Sequence, residues 1–104
     1  MIPESSNFFA SLRTTRARRR VAGIFTPPTW TVRRCSWTDY EVSSPFADLV
    51  IEAESPILLH GPVAEVEANA DRILATLRAA GIGYSAECYE ADGELLREWV
   101  WEVP

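Results

Sequence analysis

Apolar residues recur along this chain with two different periods, and the clearest pattern begins at residue 62. The residues that return at steps of three and four are Val63, Val66, Ala70, Ile73, Leu74 and Leu77. This spacing predicts an amphipathic helix over residues 62–80 with one apolar stripe that must pack against an apolar partner. Pro62 suits the first helical position, and Gly81 suits the position just after the helix.

After Gly81 the period changes to two, which is typical of strands. Asp92-Gly93 lies between two alternating segments, and this dipeptide favours a hairpin with a two-residue turn. The resulting register sets Tyr89 opposite Leu96. The face predicted to receive the helix consists of Ile82, Tyr84, Ala86, Cys88, Leu95, Trp99, Trp101 and Val103.

Three further strands are predicted before the helix. The first covers residues 20–26, the second covers residues 29–42 and the third covers residues 47–54, each bounded by proline or serine-rich turns. Residues 55–62 are predicted to form a short connection that contains His60, the single histidine of the chain.

The first twenty residues differ in character from the rest. Serine and asparagine before Phe8, Phe9 and Leu12 indicate a short capped helix that runs into an arginine cluster. We therefore divide the chain into an Arg-rich segment, residues 1–20, and a single α+β domain, residues 21–104. The predicted fold is an antiparallel sheet of about five strands with the main helix, residues 62–80, on one face, in the order (α)βββαββ.

Charge is distributed unevenly along the chain. The net charge is -5, yet residues 1–34 contain seven arginines and one acid, whereas the remainder contains three arginines and fourteen acids. Such a split is typical of two oppositely charged parts of one fold, or of an arm that meets an anionic partner. The arginines that could contact nucleic acid are Arg16, Arg18, Arg19 and Arg20. The acidic remainder would repel the same polyanion, so nucleic-acid binding is an alternative and not the first hypothesis.

The sequence contains no pattern that indicates a bound metal or cofactor. Cys35 and Cys88 are far apart, no CxxC pair is present and one histidine is available, so we expect no metal site, no cofactor and two buried free thiols. No apolar run is long enough to span a bilayer and no secretory signal is evident. We expect a cytoplasmic protein, and the exclusive use of arginine over lysine indicates a G+C-rich bacterial genome.

Catalytic chemistry is equally hard to find. The hairpin register places Glu87 opposite Glu98 on the face away from the helix, which could form an acid/base couple or a structural pair with Arg33 or Arg34 as counter-ion. His60, just before the predicted helix, could meet an anion at the helix amides. Because the sequence shows no nucleophile next to a base, we assign no catalytic residues and favour a protein that is not an enzyme.

The first functional hypothesis is therefore a protein-binding or self-associating domain, with a partner protein or a second copy of the chain on two surfaces. One helix covers only one face of a sheet, and an exposed alanine stripe (Ala64, Ala68, Ala75 and Ala79) permits close helix contact. The residues assigned to the partner surface are Glu65, Glu67, Asp71, Tyr89, Leu96 and Val100.

Two alternatives stay open. The first is a small-ligand carrier or small enzyme with an aromatic pocket between sheet and helix, formed by Tyr84, Trp99, Trp101 and His60. The second is nucleic-acid binding through the Arg-rich segment, which would be strongly salt-dependent.

Overall fold

The computed structural model describes residues 1–52 and 54–104 and has a sheet backed by helices on one side. Within these residues the strands are β1 Phe8–Arg13, β2 Thr31–Arg34, β3 Tyr40–Ser44, β4 Ala47–Glu52, β5 Ile57–Gly61, β6 Gly83–Tyr89 and β7 Leu95–Trp101, and the helices are α1 Arg18–Ala22 and α2 Val66–Ala79. All neighbouring strands are antiparallel, in the order β2-β3-β4-β5-β1-β6-β7. The predicted class, α+β with an antiparallel sheet and one main helix, is confirmed. The strand count is higher than predicted, with seven among the described residues instead of about five.

Strand β1 lies near the middle of the sheet, between β5 and β6. The prediction of a helix for this segment is wrong. Phe8, Ala10 and Leu12 are fully buried, while Phe9 and Ser11 point to the other face. A spacing of four between Phe8 and Leu12 fits both a helix and a strand, and pairing with two distant strands decides in favour of the strand.

Three other predicted segments also have a different secondary structure. The strand expected at residues 20–26 is instead the end of helix α1 and a turn, because Val21 and Ala22 are buried on one side of a helix. The strand expected at residues 29–42 is a hairpin, β2 and β3. The connection expected at residues 55–62 contains strand β5, which places His60 on the sheet. Ala53, near the end of the third predicted strand, lies outside the described residues.

Helix α2 buries the predicted stripe: Val63 just before it and Val66, Ala70, Ile73, Leu74 and Leu77 within it are all buried. The helix begins at Val66 and not at Pro62, because Asn7 pairs with both backbone groups of Val63 and holds this residue in an extended segment. At the other end the Gly81 N–H donates to Arg78 O and the Ile82 N–H to Leu77 O. This paired arrangement, with Gly81 at φ 72°, confirms glycine as the helix stop.

The β6–β7 hairpin has the predicted pairs near its open end but a different turn. Tyr84 lies opposite Trp101, whereas Tyr89 lies opposite Leu95 because a bulge interrupts the ladder at Cys88 and Tyr89. Three residues separate Glu90 from Glu94, whose backbones are paired, and Gly93 has φ 90°. A two-residue turn of the predicted type would need positive φ at Asp92 as well.

Four of the eight residues predicted to face the helix are buried. Ile82, Tyr84, Ala86 and Cys88 are buried as expected, but Leu95 and Val103 are exposed. Trp99 and Trp101 are half-buried beside the core, because β7 is an edge strand.

Both helices lie on the same side of the sheet. Helix α2 packs over β6 and β7, and α1 packs over β3 and β4. The first twenty residues do not cover the second face of the sheet, because Phe8 and Leu12 belong to strand β1 of the sheet itself. No helix in the described part of the chain has the length and apolar composition to cross a bilayer.

Candidate functional site on the open face of the sheet

The side chains that alternate with the buried ones form the second surface of the sheet, here named the open face. Its members come from β4, β5, β1, β6 and β7 and are half-buried or exposed, and they include Val50, Glu52, Leu58, His60, Phe9, Ser11, Ser85, Glu87, Tyr89, Glu98 and Val100. Strand pairing alone aligns them, since Val50, His60, Phe9, Glu87 and Glu98 are successive cross-strand partners. The face also carries a positive charge, Arg13, which donates to Ser85 Oγ and pairs with Glu102 at 3.1 Å. No described helix covers this surface.

A chain of contacts crosses the centre of the open face. The His60 Nε2 lies 2.9 Å from Glu52 Oε1, and the imidazole stacks on the Phe9 ring with centroids 5.9 Å apart and planes 9° apart. Phe9 also meets Tyr89 in an edge-to-face contact, with ring centroids 5.8 Å apart. Each ring is thereby held in one orientation, and aromatic pairs of this kind are favourable beyond their buried area.

Beyond Tyr89, this series of contacts ends at two acidic residues, Glu87 and Glu98. The Tyr89 phenol donates a hydrogen bond to the Glu87 carboxylate, and this bond raises the pKa of Tyr89, with smaller contributions from burial and from the charge of Glu98. Glu87 and Glu98 lie directly opposite each other, as predicted. Among the described residues no arginine pairs with either carboxylate. Arg33, one of the two proposed counter-ions, instead pairs with Glu41 at 2.9 Å, and Arg34 donates to backbone carbonyls of the β2–β3 loop.

A shallow depression of about 400 Å³ lies beside this chain of contacts. Its walls include Phe9, Leu58 and Val100, and its acidic side is formed by Glu87 and Glu98. The combination of an apolar floor with two carboxylates is suited to a side chain that is itself apolar along its length and cationic at its tip.

A second depression, of about 500 Å³, lies where the open face meets the start of α2. It brings together four of the residues that were assigned to the partner surface: Glu65, Glu67, Tyr89 and Leu96. Asp71 is exposed on α2 but lies outside this depression, and Val100 belongs to the first one. Tyr89 lines the second depression and contacts Phe9, which lines the first. Of the alanine stripe, Ala64 is buried, and the remaining members are exposed on the solvent side of α2.

The structure separates the residues that were assigned to an aromatic ligand pocket. Tyr84 is buried on the helix side, stacks on Trp101 at 6.1 Å and accepts a hydrogen bond from Arg78. Trp99 lies on the same side, beneath Arg97. His60 lies on the open face, on the other surface of the sheet, and not at the entrance of α2. Because a strand alternates its side chains, these four residues cannot line one cavity.

The predicted nucleic-acid residues lie around α1. Arg16, Arg19 and Arg20 are exposed, whereas Arg18 is partly buried and donates from Nε to the carbonyl of Thr38. One of the four is thus used in holding α1 against the β2–β3 loop. The set does not form a groove with aromatic side chains, which single-stranded nucleic acid usually requires.

The two thiols differ in exposure, which corrects the expectation that both are buried. Cys35 is exposed on the β2–β3 loop, while Cys88 is fully buried under α2. Burial, and to a smaller extent the charge of Glu67, raises the pKa of the Cys88 thiol. Within residues 1–52 and 54–104, no three His, Cys, Asp or Glu side chains are gathered as a metal site would require.

Sequence reasoning missed Phe9 as a member of the site, because its segment is predicted as a helix. It also missed the contact of Glu52 with His60. The alternation of Phe8, Ala10 and Leu12 with Phe9 and Ser11 was the available signal for a strand. No signal in the sequence links Glu52 to His60, because their contact depends on the pairing of β4 with β5.

The class defined by this fold is a helix-backed antiparallel sheet with one open, acidic and aromatic face. No protein-family model, curated protein or solved structure matches the chain.

Proposed function

We propose that this chain is a non-enzymatic protein-binding domain whose open face receives a basic, amphipathic segment of a partner protein. The observation that carries the proposal is the chain of contacts from Glu52 through His60, Phe9 and Tyr89 to Glu87. It combines fixed aromatic rings with carboxylates on a surface that no described helix covers.

The rings support binding because they are held in place before a partner arrives. Phe9 is stacked by His60 on one side and met by Tyr89 on the other. Aromatic anchors at the centre of an interface commonly contribute most of its binding energy, and a pre-ordered ring loses little entropy when it is covered. Leu58 and Val100 extend the apolar area on either side.

The charges support a basic partner. Glu52, Glu87 and Glu98 lie on the open face, and Glu65, Glu67 and Glu90 line the adjoining depression. Of the described residues, no arginine lines either depression. Lysine or arginine side chains of a partner could lay their apolar stems on Phe9 and Leu58 and reach the Glu87 and Glu98 carboxylates.

The same charges disfavour a symmetric pair of copies through this face. A twofold axis sets one surface against itself, so that Glu87 and Glu98 would meet the same acids of the second copy. Like charges brought together at an interface reduce affinity. A heterologous partner with positive charge suits this surface better than a second copy.

A selection from a library of random displayed peptides tests the proposal. The wild-type protein should enrich peptides in which arginine or lysine alternates with aromatic or aliphatic residues, and their affinity should fall as salt is added. Phe9→Ala and the double variant Glu87→Gln, Glu98→Gln should each weaken binding of the enriched peptides by roughly tenfold or more.

Asp71→Asn is the matched control, since it removes one exposed acid outside both depressions. Binding that survives in the double variant but is lost in Asp71→Asn would move the partner to helix α2 and contradict the open-face proposal. Enrichment of acidic or uncharged peptides would contradict the basic-partner proposal. A dimer in sedimentation equilibrium that protects the β1 amides from hydrogen exchange would make a second copy the occupant.

A further inference from the structure

A separate cavity lies on the other side of the sheet, between the second half of α2 and the segment that follows α1. Its volume is about 500 Å³, and its walls include Pro27, Thr29, Trp30, Phe46, Arg72 and Thr76. Small-molecule sites in proteins usually have volumes of about 300–1,000 Å³. The cavity is therefore large enough for an organic molecule of modest size, and the sheet separates it from the open face.

The apolar wall of this cavity is an ordered aromatic cluster. Trp30 packs edge-to-face on Phe25 at 4.9 Å and on Phe46 at 5.3 Å. Both Trp30 and Phe46 are more than nine-tenths buried, so that each presents only a small rigid surface to the cavity. A flat apolar molecule could contact the exposed part of Trp30 without displacing either ring.

Arg72 supplies a positive charge at the same place. Its Cζ lies 4.1 Å from the centroid of the Phe46 ring, which fixes the guanidinium over the aromatic wall. The helical neighbours three and four residues away are Ala68, Asn69, Ala75 and Thr76, none of which is acidic. Within the described chain no acceptor takes a hydrogen bond from the Arg72 side chain, and no carboxylate pairs with it. Its N–H donors are thus available to a ligand.

We propose that this cavity binds a small planar organic anion, with its carboxylate on Arg72 and its apolar body against Trp30 and Pro27. A guanidinium is suited to hold a carboxylate through two parallel hydrogen bonds. The hydroxyl groups of Thr29 and Thr76 lie among the lining residues and can meet polar substituents of the ligand. This inference is independent of the protein-binding proposal, because it uses the opposite surface of the sheet.

Isothermal titration calorimetry with naphthoate as the probe tests the assignment, and naphthamide serves as its uncharged counterpart. Naphthoate should bind, and naphthamide should bind at least about tenfold more weakly, because it cannot form the charged pair. Arg72→Gln should weaken the binding of naphthoate by roughly tenfold or more. Arg72→Lys keeps the charge but not the planar guanidinium, and it should weaken the binding by less. Amide chemical shifts of Thr29 and Ala80 should move on titration.

Arg97→Gln is a closely matched control, because Arg97 also lies over a ring, that of Trp99, with its Cζ 5.5 Å from the centroid. This variant removes the same charge outside the cavity and should leave naphthoate binding unchanged. Three outcomes would overturn the proposal: no heat with naphthoate, equal affinity for naphthamide, or equal weakening in Arg72→Gln and Arg97→Gln. Arg72→Lys that binds naphthoate no better than Arg72→Gln would argue against a charge-based site.

Discussion

Glu87 and Glu98 lie directly opposite each other on β6 and β7, and neither carboxylate is paired with an arginine in the described chain. Like charges at directly opposed positions destabilise an antiparallel pair. The fold tolerates this repulsion at the acidic side of the central depression, beside the Phe9 ring. We interpret this repulsion as a cost in stability that the fold tolerates because the acidic surface suits a partner.

Glu98→Arg should therefore stabilise the folded protein while weakening the binding of basic peptides. An opposite charge across from Glu87 replaces repulsion by attraction, and the free energy of unfolding should rise by about 0.5–1 kcal/mol. Urea denaturation measures the change. Glu54→Arg, an exposed acid that lies in no strand, should alter stability by less. A Glu98→Arg variant less stable than wild type would contradict this account of the pair.

Glu87→Gln should lower the pKa of Tyr89 toward that of an ordinary phenol. The hydrogen bond to the Glu87 carboxylate stabilises the protonated phenol in the folded protein. The stability that this hydrogen bond contributes is present at neutral pH and is lost as pH rises above the ordinary phenol range. A ¹³C-tyrosine NMR titration measures the pKa. Glu98→Gln should lower it by less, because Glu98 acts only through its charge, and equal effects of the two variants would disagree with the geometry.

Gly61→Ala should destabilise the fold by about 2 kcal/mol or more. A Cβ at residue 61 would lie 2.0 Å from the carbonyl oxygen of Asp48, so that β4 and β5 would have to separate locally. Gly23→Ala is the control, since its nearest neighbour would be 3.4 Å away and its backbone is helical, and it should be nearly neutral. Thermal or urea unfolding compares the two, and similar midpoints would show that the strands tolerate the extra atom.

Cys35 should react quickly with a thiol reagent in the native protein, and Cys88 only after unfolding. Cys35 is exposed, whereas Cys88 is fully buried and its raised pKa disfavours the reactive thiolate. Counting modified thiols with Ellman's reagent, with and without denaturant, checks this expectation. In the Cys35→Ser variant only the Cys88 thiol is left, and it should not react in native buffer. Rapid reaction of Cys88 would indicate that α2 opens readily.

The sequence by itself determined the elements whose signals are local. The apolar stripe of α2, the glycine at its end and the pairing of Glu87 with Glu98 follow from the periodicity of a few neighbouring residues. A helix and a hairpin form contacts between residues close in sequence. Their patterns can therefore be recognised within a short segment of the sequence. The exact turn was not determined, since Asp92-Gly93 is compatible with both a two-residue and a three-residue loop.

Only the tertiary structure decided the position of β1 and hence the composition of the candidate site. Phe9 reaches His60 and Tyr89 because β1 pairs with β5 on one side and β6 on the other, and both of those strands are distant from β1 in sequence. Such pairing depends on distant residues and on burial of Phe8 and Leu12 in a shared core. The spacing of the N-terminal apolar residues fits two periods, so the contacts that select one of them cannot be read from that segment alone.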